Sequence, residues 1–444
     1  MKKSNIDNWI CETEHWSCIT RKKLEDLQLF RFNHLLSRLK ERQGHYKELP
    51  DHLNSLSELK TLPFTTPEML SRHPGTFLLT SQSEVSRVIS GSTSGTTGPS
   101  KRVFYTEQDT AHTVTFFAAG IGEMVKPGDR VMIAFPFSGP FGLGDLIEQA
   151  VLRLDAVPVR AGGCKTYQEL CERIAETRPD CYIGFPVPLL SAARFWHSCL
   201  RFPEDSDMAS TPSDNRPRYH TRYITAYDQV LSAFPIRRAL VSGDACPAGV
   251  MHALERLLGS PLFPHYGSRE TGLSGAITCP AHEGMHLKEN HIIAEILDEN
   301  LHPVPDGTWG ELVITTIGLE AMPLIRYRTG DRARFLAAPC PCGSVTRRLD
   351  MVSRMENPSL SMEALDNLLF SLPEVIDYQA ARTGDCLTIK LYSATGTCRT
   401  SVRDLLSQKV PPSNPTGLLR SVHIEEKKCL PGDTFLYPGK RYIL

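Results

Sequence analysis

The chain has 444 residues, 41 % of them hydrophobic and 22 % charged, with a formal net charge of −1. That length predicts two or three domains, and the composition is that of a soluble globular protein. The near-neutral balance gives no electrostatic case for nucleic acid or an anionic membrane surface. No run approaches the roughly 18 apolar residues of a membrane span, and the start, Met1 to Asp7, lacks the apolar core of a secretory signal. Thirteen scattered cysteines, an odd number, do not form a disulfide framework and predict a reducing, cytoplasmic compartment.

In chain order, Leu24, Leu27, Leu29, Phe30, Phe32, Leu35, Leu36 and Leu39 recur at helical spacing within Arg21–Lys47, which predicts one or two amphipathic helices. Thr66, Pro67 and Glu68 form a helix start, with Thr66 as N-cap. A loop of Ser, Thr and Gly separates the strand-like Val88-Ile89 from Val103-Phe104-Tyr105, and a helix begins at Thr106. Strand and helix patterns then alternate: strand 131–135, helix 145–150, strand 156–159, helix 167–177, strand 181–185. This predicts an α/β architecture with largely parallel strands. Pro203–Thr221 breaks the pattern as a surface insertion, and it resumes with strand 238–241 and helix 248–258. Strands at 292–296 and 310–315 follow, joined by a turn at Pro305-Asp306-Gly307. The last 90 or so residues read as a compact α+β unit. The predicted division is a large multi-subdomain unit over 1–353, a hinge over 354–357 and a small mobile domain over 358–444.

The stretch from Ser90 to Lys101 is the most informative. Its glycines let the backbone turn with N–H groups exposed, its hydroxyls add donors, and Lys101 supplies a fixed charge, which suits a polyphosphate. It lacks the Gly-x-x-x-x-Gly-Lys-Ser/Thr order and the following helix of a Walker loop. Ser94-Gly95-Thr96-Thr97-Gly98-Pro99-Ser100-Lys101 instead closely resembles the phosphate loop of adenylate-forming enzymes, the acyl-CoA ligase superfamily. Further segments fall in that superfamily's order. Ser242-Gly243-Asp244 resembles the segment lining adenine. Tyr266-Gly267-Ser268-Arg269-Glu270 resembles the Tyr-Gly-x-Thr-Glu motif, whose Tyr lies near adenine and whose Glu holds magnesium. Tyr327-Arg328-Thr329-Gly330-Asp331 matches the motif whose Asp binds the ribose hydroxyls. Gly439-Lys440-Arg441 lies close to the C-terminus, where the family keeps its catalytic lysine.

Leu62-Pro63-Phe64-Thr65-Thr66, the helical lead-in and Glu320-Ala321-Met322-Pro323-Leu324-Ile325-Arg326 point to the phenylacetate-CoA ligase-like branch, over almost the whole chain. The resemblance implies ATP binding by Ser92, Ser94, Gly95, Thr96, Thr97, Gly98, Lys101, Gly243, Asp244, Tyr266, Gly267, Ser268, Asp331 and Arg354, and catalysis by Lys440 and Glu270, the latter through Mg2+. A carboxylate attacking the α-phosphorus of ATP brings anion against anion, so charge neutralisation and in-line positioning are what such residues must provide. Three departures stand out. Arg269 replaces the usual Thr, Ser353-Arg354-Met355-Glu356-Asn357 is a degenerate hinge motif, and the strand and loop that normally follow the hinge are missing.

A second constellation, Cys279-Pro280-Ala281-His282 with His286 and Cys340-Pro341-Cys342-Gly343, has soft ligands at spacings that suit a closed structural zinc site. One of the two histidines would complete it; the Cys-x-x-His spacing favours His282, and His286 could equally serve. The segment Phe135–Gly144 sits where the family binds the acid. Phe137, Phe141 and Gly142 are the candidates for a wall suited to a flat apolar acid.

These features together predict an ATP-dependent carboxylic acid:CoA ligase that forms acyl-AMP and pyrophosphate and then transfers the acyl group to CoA. Its cofactors and substrates are ATP, Mg2+, CoA and a small carboxylic acid, with structural Zn2+, no nucleic acid, no membrane, and a homodimer compatible with the resemblance. The alternatives are an adenylating enzyme whose acceptor is a carrier-protein thiol or an amine, and a nucleotide-binding regulatory homologue without turnover.

Overall fold

The computed structural model describes residues 4–42, 44–91, 101–138, 142–201, 234–355, 361–409, 421–429, 441 and 443–444. Most of the phosphate loop (Ser92, Ser94, Gly95, Thr96, Thr97, Gly98), Phe141, Lys440, the expected insertion at Pro203–Thr221 and hinge positions 356–357 lie outside the described residues.

The chain opens with α1 (Asn5–Thr13) and α2 (Arg21–Arg42). Helix α2 buries Leu24, Phe32, Leu35, Leu36 and Leu39 and leaves its charged residues outside, as the apolar spacing requires. Thr66 caps α3 (Pro67–Arg72), its hydroxyl accepting from Met69 N. Strands β1 (Arg87–Gly91) and β2 (Lys101–Tyr105) pair antiparallel, with Gly91 opposite Lys101, so the phosphate loop leaves and re-enters at one rung of a ladder. Helix α4 (Glu107–Ile121) starts in a reciprocal capping arrangement of Thr106 and Asp109. Asp109 also accepts from the backbone N–H groups of Glu320 (2.7 Å) and Ala321 (3.1 Å), tying this helix to a distant loop.

An eight-stranded sheet forms the centre. Strands β3 (Arg130–Ile133), β4 (Val157–Arg160), β5 (Cys181–Gly184), β6 (Arg238–Val241) and β7 (Phe263–Tyr266) run parallel in the order β4-β3-β5-β6-β7. Except at the edge strand β4, where Val157 is exposed, their apolar residues are buried, consistent with a sheet covered on both faces. Helices α5 (Gly144–Leu152), α6 (Tyr167–Thr177), α7 (Pro186–Arg201) and α8 (Ala248–Leu258) cover it. Beyond β7 the sheet turns antiparallel through β8 (Ala276–Thr278), β9 (Met285–Leu287) and β13 (Arg348–Leu349). The expectation of parallel strands therefore holds for five of these eight. Helix α7 and the β8–β9 hairpin have no counterpart in the alternation read from sequence. The Pro186-Val187-Pro188 start of α7 resembles a break, and residues 186–196 are buried all round, so no amphipathic stripe marks it.

A second sheet, entirely antiparallel, has the order β10 (Ile292–Leu297), β11 (Gly310–Thr316), β12 (Tyr327–Ala333), β14 (Ser353–Arg354). It is braced by Arg326, 2 % exposed, whose guanidinium forks onto Glu295 at 3.0 Å twice and donates to the carbonyls of Lys60 and Leu62. Residues from 361 onward form α9 (Met362–Leu369), α10 (Arg399–Lys409) and a three-stranded sheet, β15 (Val375–Thr383), β16 (Cys386–Ser393), β17 (Ser421–Lys428). Its apolar face shares one core with α6, α7 and α8. Arg194 of α7 donates to the Phe370 carbonyl at 2.8 Å and to that of Val375, and Asn367 accepts from Gly249 N at 2.8 Å. Among the described residues no helix is long and apolar enough to cross a membrane.

Candidate functional site

Four elements bring the sequence-predicted residues together at the carboxyl end of the parallel strands, where open α/β sheets bind ligands. Lys101 begins β2, Tyr266 ends β7, Glu270 sits in the 3-10 turn Arg269–Thr271, and Asp331 lies in β12 opposite Arg354. Lys101 Nζ is 2.7 Å from Glu270 Oε1 and 2.9 Å from the Tyr327 hydroxyl, which itself donates to Glu270 at 3.1 Å. Lys101 and Glu270 side chains are each 6 % exposed. Burial alone would raise the Glu270 pKa, but the Lys101 ammonium beside it, helped by Arg269, holds it down at about 2. Burial and the adjacent Glu270 charge push the Tyr327 phenol up, so it stays a donor.

Tyr266 donates to Asp331 Oδ2 at 2.8 Å, and Arg354 Nη1 lies 2.8 Å from Asp331 Oδ1. Both Asp331 oxygens are thus engaged by groups that a ribose could exchange with or lie beside. Thr65, in the Leu62–Thr66 segment, bridges in parallel to Tyr327 and exchanges backbone hydrogen bonds with Arg326 and Arg328. In the sequence that segment is a family marker and carries the Thr66 cap; in the fold it also fixes the strand that presents Tyr327 and Asp331. Tyr327 itself was read only as part of a motif, and its buried hydroxyl on both Lys101 and Glu270 required the fold to be seen.

Gly243 and Asp244 follow β6, next to β7, and Ser242 Oγ is 2.7 Å from His265 Nδ1. Gly243 has φ +84, and a Cβ there would meet Phe185 at 2.6 Å and Phe135 at 2.9 Å. A Cβ at Gly267 would meet the Leu273 carbonyl at 2.7 Å. Ser268 accepts from Thr271 through its backbone carbonyl and closes the turn that presents Glu270. Phe137 packs under the Arg160 guanidinium, 4.6 Å from its centroid, and against Gly144, while Gly142 offers its carbonyl to Arg87. A cavity of about 910 Å³ among Arg42, His45, Lys47, Thr66, Glu68 and Arg72 has none of Lys101, Tyr266, Glu270, Tyr327, Asp331 or Arg354 in its lining.

The cysteine constellation assembles away from these groups. Cys279 at the end of β8, His286 in β9, and Cys340 and Cys342 in the loop before β13 place their ligand atoms within 4.8 Å of one another, all buried. Cys279 Sγ is 3.6 Å from Cys340 Sγ, and Cys342 Sγ is 3.4 Å from His286 Nε2. The sulfur–sulfur distance is far beyond a disulfide bond of about 2 Å and close to the edge, about 3.8 Å, of a tetrahedron with metal–sulfur bonds of about 2.3 Å. Ala281 and Ser344 N–H groups each donate to a cysteine sulfur, and Thr346 meets His286 Nδ1 at 2.8 Å, which leaves Nε2 facing the thiols. The donor set fits a soft divalent ion in a closed site. The histidine brought beside the three thiols is His286; His282, which the spacing favours, is not among these groups. His282 has φ +54, its Nδ1 lies 2.9 Å from the Leu262 carbonyl and its ring packs on Phe263. The β8–β9 hairpin, not local spacing, sets this choice: it pairs His286 with Ile277 and buries it beside the thiols.

The chain is 27 % identical over 386 residues to phenylacetate-coenzyme A ligase of Thermus thermophilus, covering 81 % of this chain and 78 % of that one. It is 28 % identical over 368 residues to the enzyme of the same name from Aromatoleum evansii, covering 80 % and 75 %. A crystal structure of 2-hydroxyisobutyryl-CoA ligase in the postadenylation state superposes with a TM-score of 0.71 at 18 % identity, covering 96 % of this chain and 90 % of that one, and so shares the fold. The sequence model of the family described as AMP-binding enzyme matches residues 92–321, more than half of the chain, and the chain belongs to that family.

Proposed function

We propose that the protein is an ATP-dependent carboxylic acid:CoA ligase, which activates an acid as acyl-AMP with release of pyrophosphate and then transfers the acyl group to the CoA thiol. The observation that carries this reading is the contiguous set Lys101–Glu270–Tyr327 and Tyr266–Asp331–Arg354, joined through β12. One half presents cation, carboxylate and phenol beside the phosphate loop. The other presents a carboxylate and an arginine suited to a ribose. Phenylacetate-CoA ligases among the relatives support an aryl or similarly flat apolar acid, with Phe137, Phe141 and Gly142 as its wall.

Glu270 is a single ionised carboxylate, the usual protein share of a magnesium site whose other ligands are phosphates and water. Mg2+ held there would offset charge on the phosphates. Lys101 would move from Glu270 towards the phosphates as they arrive, and Tyr327 would keep Glu270 oriented. Zn2+ bound by Cys279, His286, Cys340 and Cys342 would be structural, tying the β8–β9 hairpin, which follows Glu270, to the loop after β12. Lys440 serves as the catalytic lysine on a small domain over 358–444, which turns about 354–357 between the two half-reactions. The anchoring of Arg441, next in sequence, beside Asp244 supports that reading.

The test is acid-dependent ATP–pyrophosphate exchange across a panel of aryl and aliphatic acids, followed by thioester analysis with CoA. Exchange with an aryl acid and formation of its CoA thioester are the expected results. Exchange without thioester would identify a different acceptor. No exchange with any acid would remove the ligase reading.

A further inference from the structure

Arg441 is the most heavily engaged side chain at the join between the C-terminal unit and the nucleotide-lining segment. Its guanidinium is 3 % exposed. Nη1 lies 2.6 Å from Asp377 Oδ1, and Nη2 lies 3.3 Å from Asp366 Oδ1 and 3.2 Å from the Tyr378 carbonyl. The Tyr378 and Phe370 rings flank it at 4.6 and 5.4 Å. A bulge in β15 between Val375 and Asp377 turns Asp377 inward. Asp377 also takes a 2.6 Å hydrogen bond from Tyr167 of α6, so the same carboxylate is held from both units. The Arg441 main-chain N–H donates at 2.9 Å to Asp244 Oδ2, in the segment after β6. Three carboxylates from three elements therefore converge on one residue.

A buried ion cluster of this kind gains little net stability over apolar packing; its known use is to specify one arrangement against others. We propose that Arg441 is a positioning residue for the adenylation half-reaction, clamped by Asp366 and Asp377 while Asp244 holds its backbone, and acting by fixing the C-terminal unit against the segment after β6. This rests on the ligase reading above and adds to it a role for Arg441, which follows the lysine of the family's C-terminal segment. The second half-reaction has no need of the clamp, because the adenylate is already formed.

The experiment compares wild type with Arg441→Met and Arg441→Lys in two assays: phenylacetate-dependent ATP–pyrophosphate exchange, and thioester formation from synthetic phenylacetyl-AMP and CoA. The expected result for Arg441→Met is a loss of exchange of about a hundredfold, the scale of a misplacement of about 1 Å, with thioester formation changed less than about twofold. Arg441→Lys recovers part of the exchange. Should Arg441→Met not fold, the triple variant Asp366→Asn/Asp377→Asn/Arg441→Met, which buries no charge at the cluster, is judged by the same two rates. Parallel loss in both assays would show a purely structural role, and unchanged exchange would show no role; either overturns the proposal. Absence of exchange in wild type with every acid of the panel would overturn the ligase reading, and this proposal with it.

Discussion

Lys101 and Glu270, 169 positions apart in sequence, meet at 2.7 Å in a buried contact at the end of the phosphate loop. Burial would neutralise Glu270 on its own; the lysine keeps it ionised, with its pKa at about 2, below the ordinary 4.5. Because the folded value is depressed, the stabilisation is fully present above pH 4.5 and is lost as pH falls through about 2. Lys101→Met leaves a buried carboxylate without its cation and is expected to cost about 3–5 kcal/mol in a denaturant titration at pH 7. Lys101→Met/Glu270→Gln should restore most of that stability while acid-dependent pyrophosphate exchange stays absent. If the double variant is as unstable as the single one, the pair is not the source of the loss.

Much of this site was legible because the family's motifs are contiguous, and those among the described residues lie on short strands or turns. The loop's flanking strands, the Thr66 cap and helix α6 come out at the expected places, since alternation and capping residues are local signals. Helix α7, buried on every side, and the short β8–β9 hairpin have no local periodicity to announce them. The same hairpin decided between His282 and His286, a choice that sequence spacing cannot make. Tyr327 and Arg441 gain their roles from partners far along the chain, where no pattern in the sequence points.

Tyr266, Asp331 and Arg354 form a second chain of contacts with a separate consequence. Asp331→Ala removes the acceptor for a ribose and frees both neighbours. A charge-assisted hydrogen bond contributes roughly 1.5–3 kcal/mol, so the KM for ATP should rise about tenfold to a hundredfold. Tyr266→Phe removes one donor to Asp331 and should have a smaller effect, about fivefold, on a net contribution of about 1 kcal/mol. Initial rates at varied ATP measure both. A larger effect from Tyr266→Phe than from Asp331→Ala would contradict the order of contacts seen here.

The thiol–imidazole cluster makes a prediction that separates two neighbouring histidines. Purified protein should contain one zinc per chain by elemental analysis. Cys340→Ser and His286→Ala should lose it and unfold at lower temperature, whereas His282→Ala should retain it. Chelation of the wild type should produce the same lowered transition as the cysteine variant. Metal loss in His282→Ala with retention in His286→Ala would reverse the assignment.

Lys288 supplies the clearest pH dependence. Its Nζ bonds Ser274 Oγ at 3.1 Å and lies 5.5 and 5.4 Å from the Trp9 and Phe116 rings. Burial lowers its pKa from 10.5 to about 7; Asp109 pulls upward and Arg31 downward, and His112, His265 and His291 lie in its field. Below pH 7 both folded and unfolded chains carry the charge, so the full desolvation cost falls on the fold. Between 7 and 10.5 the unfolded chain binds more protons, and the contribution of Lys288 to stability rises with pH before levelling off. Lys288→Met should therefore be more stable than wild type at pH 7, on the order of a few kcal/mol, and the difference should narrow towards pH 10. Denaturant midpoints of the two proteins at pH 7 and 9.5 measure this. Parallel curves would show that the two rings and Ser274 keep the ammonium charged throughout this range.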